Sequence, residues 1–315
     1  MNESPWDVII VGGGAAGLNA ALVLARARRR VVVVDAGEPR NRFAPHMHGY
    51  LTRDGLSPLD LLELGRAEVL GYGAEIVEGR AVSASGEAGA FTVTLDGGRM
   101  LTGRRLIVAT GLRDELPGIP GLAEQWGTGA VACPYCDGWE ARDLRIGVIA
   151  TSAMSIHQAS LVRQWSAHVT FVGPPTTELD ADTRAGLEAR GTRILPNAVT
   201  AVLADAEGRL TGVALDDGST IELDRLFVGP RPVARDELLR QLGAEQMTTP
   251  MGEWTASDPF GDTSVAGVWV AGNSANAGAL VIVAAAAGAT AATAINADLV
   301  ADDTRRAVAE LAADR

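Results

Sequence analysis

The chain reads as an α/β protein built from two doubly wound, three-layer units, the second inserted into the first. Three observations predict this. A short apolar run near the start ends in a glycine-rich turn, and a helical pattern and a second apolar run follow. The same strand–helix–strand order returns between Arg145 and Val172. The chain closes with one more strand-like run and an alanine-rich helix. That tail is too short for a third domain, so it completes the first.

The first unit opens with a strand over Asp7 to Val11, ending in Gly12-Gly13-Gly14-Ala15-Ala16-Gly17. A helix is expected from Leu18 to Arg28 and a strand from Val31 to Val34, closed by Asp35. Each glycine has a purpose in a Rossmann-like dinucleotide site. Gly12 makes the tight turn, Gly14 lets backbone approach a pyrophosphate, and Gly17 lets helix and strand touch. The phosphates meet the helix N-terminus, and Asp35 holds ribose hydroxyls. Alternating strands are expected over Glu75 to Thr94 around the turn Asp96-Gly97-Gly98, then a strand at Arg105 to Ala109 that closes on Thr110-Gly111. Pro117 to Gly121 reads as a linker.

In the second unit, Arg145 to Ala150 is a strand, Ser155 to Ser166 a helix and His168 to Val172 a strand. Short strands near Arg193 to Leu195, Val199 to Leu203, Gly212 to Leu215 and Arg225 to Val228 complete it. Arg231-Pro232 marks the return linker. The run Gly267 to Asn273 is a strand ending in a turn, followed by a helix over Ala279 to Ile295. The expected bounds are 1–115 with 243–315 for the first domain and 116–242 for the insert.

The 315 residues include 47% hydrophobic and 21% charged types, enough apolar material for filled cores. A formal charge of −12 disfavours nucleic acid and anionic lipid as partners. The arginines between Arg26 and Arg30 fall at a helix end, where cations suit the dipole, and read as solvated. The apolar stretch Ala279 to Ile295 is mostly alanine, weak for a membrane span, and reads as a buried helix. With no signal peptide read ahead of the first strand, the expected location is cytoplasmic.

The only cysteines, Cys133 and Cys136, stand in Cys133-Pro134-Tyr135-Cys136-Asp137-Gly138. Two thiols at that spacing close into a small disulfide that opens readily, and in a reducing compartment such a pair is more often catalytic than structural. No second Cys or His pair at ligand spacing accompanies it, so no metal is expected. Asp137 reads either as an acid–base group for the sulfurs or as a plain turn or cap aspartate. Trp126, Tyr135 and Trp139 read equally as an apolar substrate mouth or as core. Met154 and His157 begin the inserted helix and read as packing residues, and Trp165 and Trp269 as structural.

Taken together and in order, Gly12-Gly13-Gly14-Ala15-Ala16-Gly17, Ala109-Thr110-Gly111, the Cys133–Gly138 run and Gly267–Asn273 resemble the thioredoxin-reductase-like flavoproteins over nearly the whole chain. The runs MHGYLTRDG, ATGLRDELPGIPG and CPYCDGWE resemble the dithiol oxidase branch, which closes disulfides in natural products such as gliotoxin and holomycin. The resemblance implies FAD along the first domain and a redox-active cysteine pair on the insert. It implies that Gly12, Gly14, Ala16 and Gly17 cradle the pyrophosphate and Asp35 meets the adenosine ribose. Arg40 and Asn41 flank the cofactor, His48 lies near the flavin, Val82 meets the adenine, and Ala109, Thr110 and Gly111 line the same groove. Gly272 and Asn273 stand where the family has Gly-Asp, and Leu280 where relatives often carry Gln at the flavin edge. Cys136 is then the flavin-proximal sulfur, Cys133 the exchange sulfur and Asp137 the proton carrier. Relatives are usually homodimers.

A reductase driven by NADPH needs a second glycine turn in the insert. Here Ala150 and Ser152 stand at its glycine positions and Ser155 at the helix-facing one. The 2′-phosphate grip after the next strand is replaced by Val172-Gly173-Pro174-Pro175, without a cation. The leading expectation is therefore oxidation of a small-molecule or peptide dithiol, with O2 as acceptor. The alternatives are a thioredoxin reductase using NADPH or ferredoxin, and a flavin redox sensor without turnover.

Overall fold

A computed structural model describes residues 5–314. The chain opens with β1 (Trp6–Val11), α1 (Ala15–Arg26), β2 (Val31–Asp35), α2 (Pro58–Gly71), β3 (Glu75–Glu78), β4 (Ala81–Glu87), β5 (Ala90–Leu95) and β6 (Met100–Val108). It continues through β7 (Leu112–Glu115), α3 (Leu122–Gln125), β8 (Ala130–Val131), α4 (Pro134–Asp137), β9 (Ile146–Ile149), α5 (Met154–Val162), β10 (Val169–Val172), α6 (Ala181–Ala189) and β11 (Arg193–Leu195). Then come β12 (Val199–Ala204), β13 (Leu210–Leu215), β14 (Thr220–Glu222), β15 (Arg225–Val228), β16 (Arg231–Ala234), α7 (Glu237–Gln241), β17 (Gln246–Thr249), β18 (Gly252–Thr255), β19 (Val268–Val270) and α8 (Val281–Ala313).

These elements fall into two compact units. The first holds Met1–Arg40, Leu59–Arg113 and Pro232–Arg315, and the second Asn41–Pro58 and Asp114–Arg231. The chain thus returns to the first unit at Pro232 rather than at 243. The reason is packing: Leu238 and Leu239 of α7 are buried in the first unit's core with Val93 and Val268, and Gln241 Oε1 accepts from the Ala84 amide at 3.0 Å. Asn41–Pro58 groups with the second unit, a segment the sequence assigned to the first.

The first unit's sheet runs β3-β2-β1-β6-β5-β4. β1 pairs in parallel with β2 and β6, and β19 joins in parallel to the far half of β6. β4 and β5 continue as an antiparallel meander. Strands buried on both faces read as continuous apolar runs, which is why Val31–Val34 carries no alternation. α1 and α8 cover one face. Gly288 makes their approach possible, since a Cβ there would stand 1.9 Å from the Ala16 carbonyl oxygen.

α8 is long and apolar enough to cross a membrane by length and composition. It spends one stripe of that apolarity on the core, burying Ala284, Ala285, Gly288, Ala291, Ala292, Ile295 and Leu299. It runs well beyond Ile295 because its charged half finds partners: Arg104 pairs with Asp302 at 2.8 Å, and Arg29 with Asp303 at 2.6 Å. Arg29, read as solvated, is therefore half-buried in an ion pair, and its Nε also donates to Asn296 at 2.8 Å.

In the second unit a five-stranded parallel sheet runs β11-β10-β9-β15-β8, beside the antiparallel β12-β13-β14. Its core holds Ile146, Val148, Phe171 and Phe227.

Candidate active site

The glycine turn of the first unit has the shape its sequence implies. Gly12 adopts φ +112°, and a Cβ there would lie 2.3 Å from the Ala109 carbonyl oxygen. A Cβ at Gly17 would lie 1.8 Å from the Gly12 oxygen, so helix and strand meet backbone to backbone. Gly14 differs: nothing stands within 4 Å of the place its Cβ would occupy. It is the N-cap of α1 and offers no side-chain cap to the first helical amides. An anionic phosphate group fits that cradle on both steric and dipolar grounds.

Around the cradle the first unit gathers the other predicted residues. Asp35 ends β2, is mostly buried, pairs with Arg66 and accepts from the Gly37 amide at 3.1 Å. Gly272, at φ +70°, brings its α-carbon side against Ala16, whose Cβ a Gly272 side chain would meet at 2.8 Å. The Gly111 amide donates to Ser274 Oγ at 2.6 Å, and the Thr110 hydroxyl donates to the Arg235 carbonyl.

Asn273 uses its amide to hold the loop before α8. Its Nδ2 donates to the carbonyls of Asn276, Ala277 and Ala279 at 2.9, 3.3 and 3.1 Å. A carboxylate has no hydrogen to give to those oxygens. Arg40 reaches the same loop, donating to the Ala277 carbonyl at 3.3 Å. Leu280 is the N-cap of α8 and is partly exposed. Val82 lies on β4, exposed, with its carbonyl accepting from Gln241 at 3.2 Å.

The second unit carries the sulfurs. Cys133 is the N-cap of α4 and Cys136 lies within it. The two are disulfide-bonded, with Cα atoms 5.2 Å apart. The turn is closed by the Cys136 and Asp137 amides, both donating to the Cys133 carbonyl at 3.1 Å. Gly138 allows the turn to seat, because a Cβ there would strike the Pro134 oxygen at 2.4 Å and the Trp165 ring at 2.7 Å. Tyr135 meets Trp165 edge-on at 6.2 Å, and the Arg142 guanidinium covers the Trp139 ring at 4.5 Å. Tyr135 and Trp139 are each 66% exposed, whereas Trp126 packs against the core around Leu122. Met154, read as a packing residue, is exposed too.

Burial pushes the Asp137 carboxyl up to about 6; Arg225 and His48 pull it down and Glu140 pushes it further up. His48 belongs to this unit, between two carboxylates: Nδ1 lies 3.3 Å from Asp54 and Nε2 3.5 Å from Glu140. Asn41 groups with the second unit as well. Sequence reasoning missed Ser274, Arg66, Arg225 and Glu140. Only Glu140 carries a readable signal, three residues past Asp137 on a helical turn.

The second unit's own strand–helix turn is shut. Ser155, 1% exposed, accepts through Oγ from the Thr151 and Ser152 amides at 3.0 and 3.3 Å. Thr151 Oγ1 donates to the Gly229 carbonyl at 2.9 Å. Two amides of this turn, those of Thr151 and Ser152, are thus taken up by the chain itself.

The family model described as pyridine nucleotide-disulphide oxidoreductase matches residues 6–288. The thioredoxin reductase sirT of Leptosphaeria maculans is 32% identical over 309 residues, covering 93% of this chain and 94% of that protein. The crystal structure of HlmI superposes with a TM-score of 0.93 at 47% identity, over 99% of this chain and 98% of that one. An oxidoreductase from Agrobacterium tumefaciens gives 0.89 at 40% identity, over 94% and 99%. With its open cradle at Gly14, its disulfide beside Asp137 and these likenesses, the chain belongs to the pyridine nucleotide-disulphide oxidoreductases, as a thioredoxin-reductase-like enzyme whose cofactor is FAD.

Proposed function

We propose that this enzyme oxidises a small-molecule or peptide dithiol to its disulfide, with molecular oxygen as electron acceptor. The observation that carries this reading is the shut turn after β9. Ser155 takes up the two amides at Thr151 and Ser152, and the segment after β10 offers Gly173-Pro174-Pro175 where a cation would grip NADPH. Both features favour an electron partner other than a nicotinamide on the insert, while the disulfide and its acid are in place.

In the oxidising direction a substrate thiolate attacks Cys133, forming a mixed disulfide and releasing the Cys136 sulfur. The second substrate thiol displaces Cys133, and the product leaves with a new S–S bond. Asp137 takes and returns the protons at the sulfurs, a role for which a carboxyl raised to about 6 is matched to neutral conditions. FAD, held at the Gly12–Gly17 turn, would supply the acceptor for the electron pair, and O2 would take up that pair with two protons as hydrogen peroxide. Tyr135 and Trp139, exposed on the disulfide turn and braced from behind, form the apolar mouth.

The test is anaerobic. The yellow protein bleaches with a dithiol and recolours with oxygen, producing peroxide over many turnovers. Bleaching by NADPH alone sinks this reading in favour of a thioredoxin reductase, the reading that the printed names of the fungal relatives favour. Bleaching by reduced ferredoxin points to a ferredoxin-driven reductase, and a single bleaching without turnover to a sensor. We place the enzyme in the cytoplasm as a homodimer, a location supported by the use of a CxxC pair for chemistry rather than for stapling.

A further inference from the structure

Helix α5 presents one side chain to the disulfide turn that the chemistry above does not use. Gln158 is 7% exposed. Its Nε2 donates at 2.7 Å to the carbonyl of Ala132, the residue before Cys133. A carbonyl only accepts, so this bond fixes which end of the amide faces the turn. The other end, Oε1, is an acceptor sealed from solvent, and among the described residues no donor reaches it. A sealed acceptor is unfavourable until a donor arrives.

Turnover supplies one. When a substrate dithiol reduces the Cys133–Cys136 bond, that S–S bond breaks and the substrate's forms. The two substrate hydrogens end on the two cysteine sulfurs. The Cys133 sulfur is the group next to Ala132 that gains a hydrogen in this exchange. We propose that Oε1 of Gln158 accepts the S–H of Cys133 in the reduced enzyme and holds the exchange sulfur as a thiol. Gln158 is thus a positioning residue, and its role rests on the dithiol oxidase reading.

The consequence is directional. Only a thiolate attacks a disulfide. An amide oxygen accepting from Cys133 in this way repels the thiolate's charge and stabilises the thiol. The reduced enzyme is therefore slow to attack the disulfide it has just released, and the reaction runs towards product. The amide half of Gln158, on the Ala132 carbonyl, keeps the backbone entering Cys133 in place.

With Cys136→Ser, Cys133 becomes the sole thiol of the chain. Its reaction rate with 2,2′-dithiodipyridine is measured against pH, with and without Gln158→Leu, and bound-flavin absorbance certifies folding. Gln158→Leu is expected to move the profile about one pH unit lower and to speed the reaction near neutral pH about tenfold. Gln158→Glu moves it the other way. An unchanged profile in Gln158→Leu overturns the proposal. If that variant does not fold, the infrared S–H stretch of the reduced wild type decides. A band displaced to low frequency supports the bond, and a free-thiol band overturns it. A wild-type pair that no dithiol reduces sinks the oxidase reading and this inference with it. A reducible pair with an unmoved Gln158→Leu profile sinks the role of Gln158 alone.

Discussion

The carboxyl of Asp137 owes its reactivity to neighbours that pull in opposite directions. Burial and Glu140 favour its neutral form, Arg225 and His48 its charged form, and the balance lies at about 6. In the oxidising direction proposed above it accepts a proton, so turnover is expected to fall as pH drops through about 6. Asp137→Asn removes that limb of the pH–rate profile and lowers turnover on the order of a hundredfold or more, read in steady-state oxygen consumption. The same shift has a stability sign. The folded carboxyl is raised above the ordinary 3.8, so its contribution is fully present below that value and is lost as pH rises through about 6. Asp137→Asn is therefore more stable than wild type at pH 8, on the order of 2 kcal/mol, by urea denaturation. At this scale the glycines, Asp35, the cysteines and Asp137 are legible in sequence, because each residue type answers a local requirement. Ser274, Arg66 and Arg225 are not, because a serine or an arginine carries no such signature. Their meaning comes from what the fold brings alongside, as the 2.6 Å bond from the Gly111 amide to Ser274 illustrates.

Among the elements, α1 and α8 depend on Gly288 to touch. Gly288→Ala puts a methyl 1.9 Å from the Ala16 oxygen and forces the helices apart. The expected cost is about 1–3 kcal/mol in urea denaturation, with weaker FAD retention because Ala16 sits in the phosphate turn. The disulfide helix makes a different prediction. Tyr135→Ala and Trp139→Ala each remove an exposed, braced ring. Each raises KM for ring-bearing dithiols about tenfold and leaves dithiothreitol oxidation unchanged, since dithiothreitol has no ring to stack. Equal losses with both substrates refute the mouth. β1, β2, β9–β13 and β15 are legible to within a residue or two, since apolar runs bounded by Gly and Asp define their own ends, whereas the short β7, β8, β14 and β16–β18 are not. α2 was not, because Pro58–Gly71 has a weak apolar stripe and follows an irregular segment. The second half of α8 was also missed. Its stability comes from Arg29, Arg104 and Arg105, which reach it from distant parts of the chain.

For the whole molecule, the open cradle at Gly14 predicts a fold that FAD stabilises by mass action. Stripping the flavin lowers the melting temperature, and FAD at a hundredfold over its Kd restores about 2.7 kcal/mol. On the proposed reading, NAD(P)H added at the same excess leaves the melting temperature unmoved, because Ala150 and Ser152 stand at the glycine positions of the insert's turn and Gly173-Pro174-Pro175 offers no cation. The amino-acid sequence by itself determined the α/β class, the glycine turn, the cysteine–acid run and the loss of a second glycine fingerprint. All of these are written in residues close together along the chain, where spacing alone carries the geometry. The tertiary structure decided where the chain re-enters the first unit, that residues 41–58 join the second, that His48 stands between Asp54 and Glu140, and that the Asn273 amide is spent on its own loop. Those outcomes depend on which distant groups share a buried, low-dielectric space. Such neighbours are set by packing, and no local pattern in the chain encodes them.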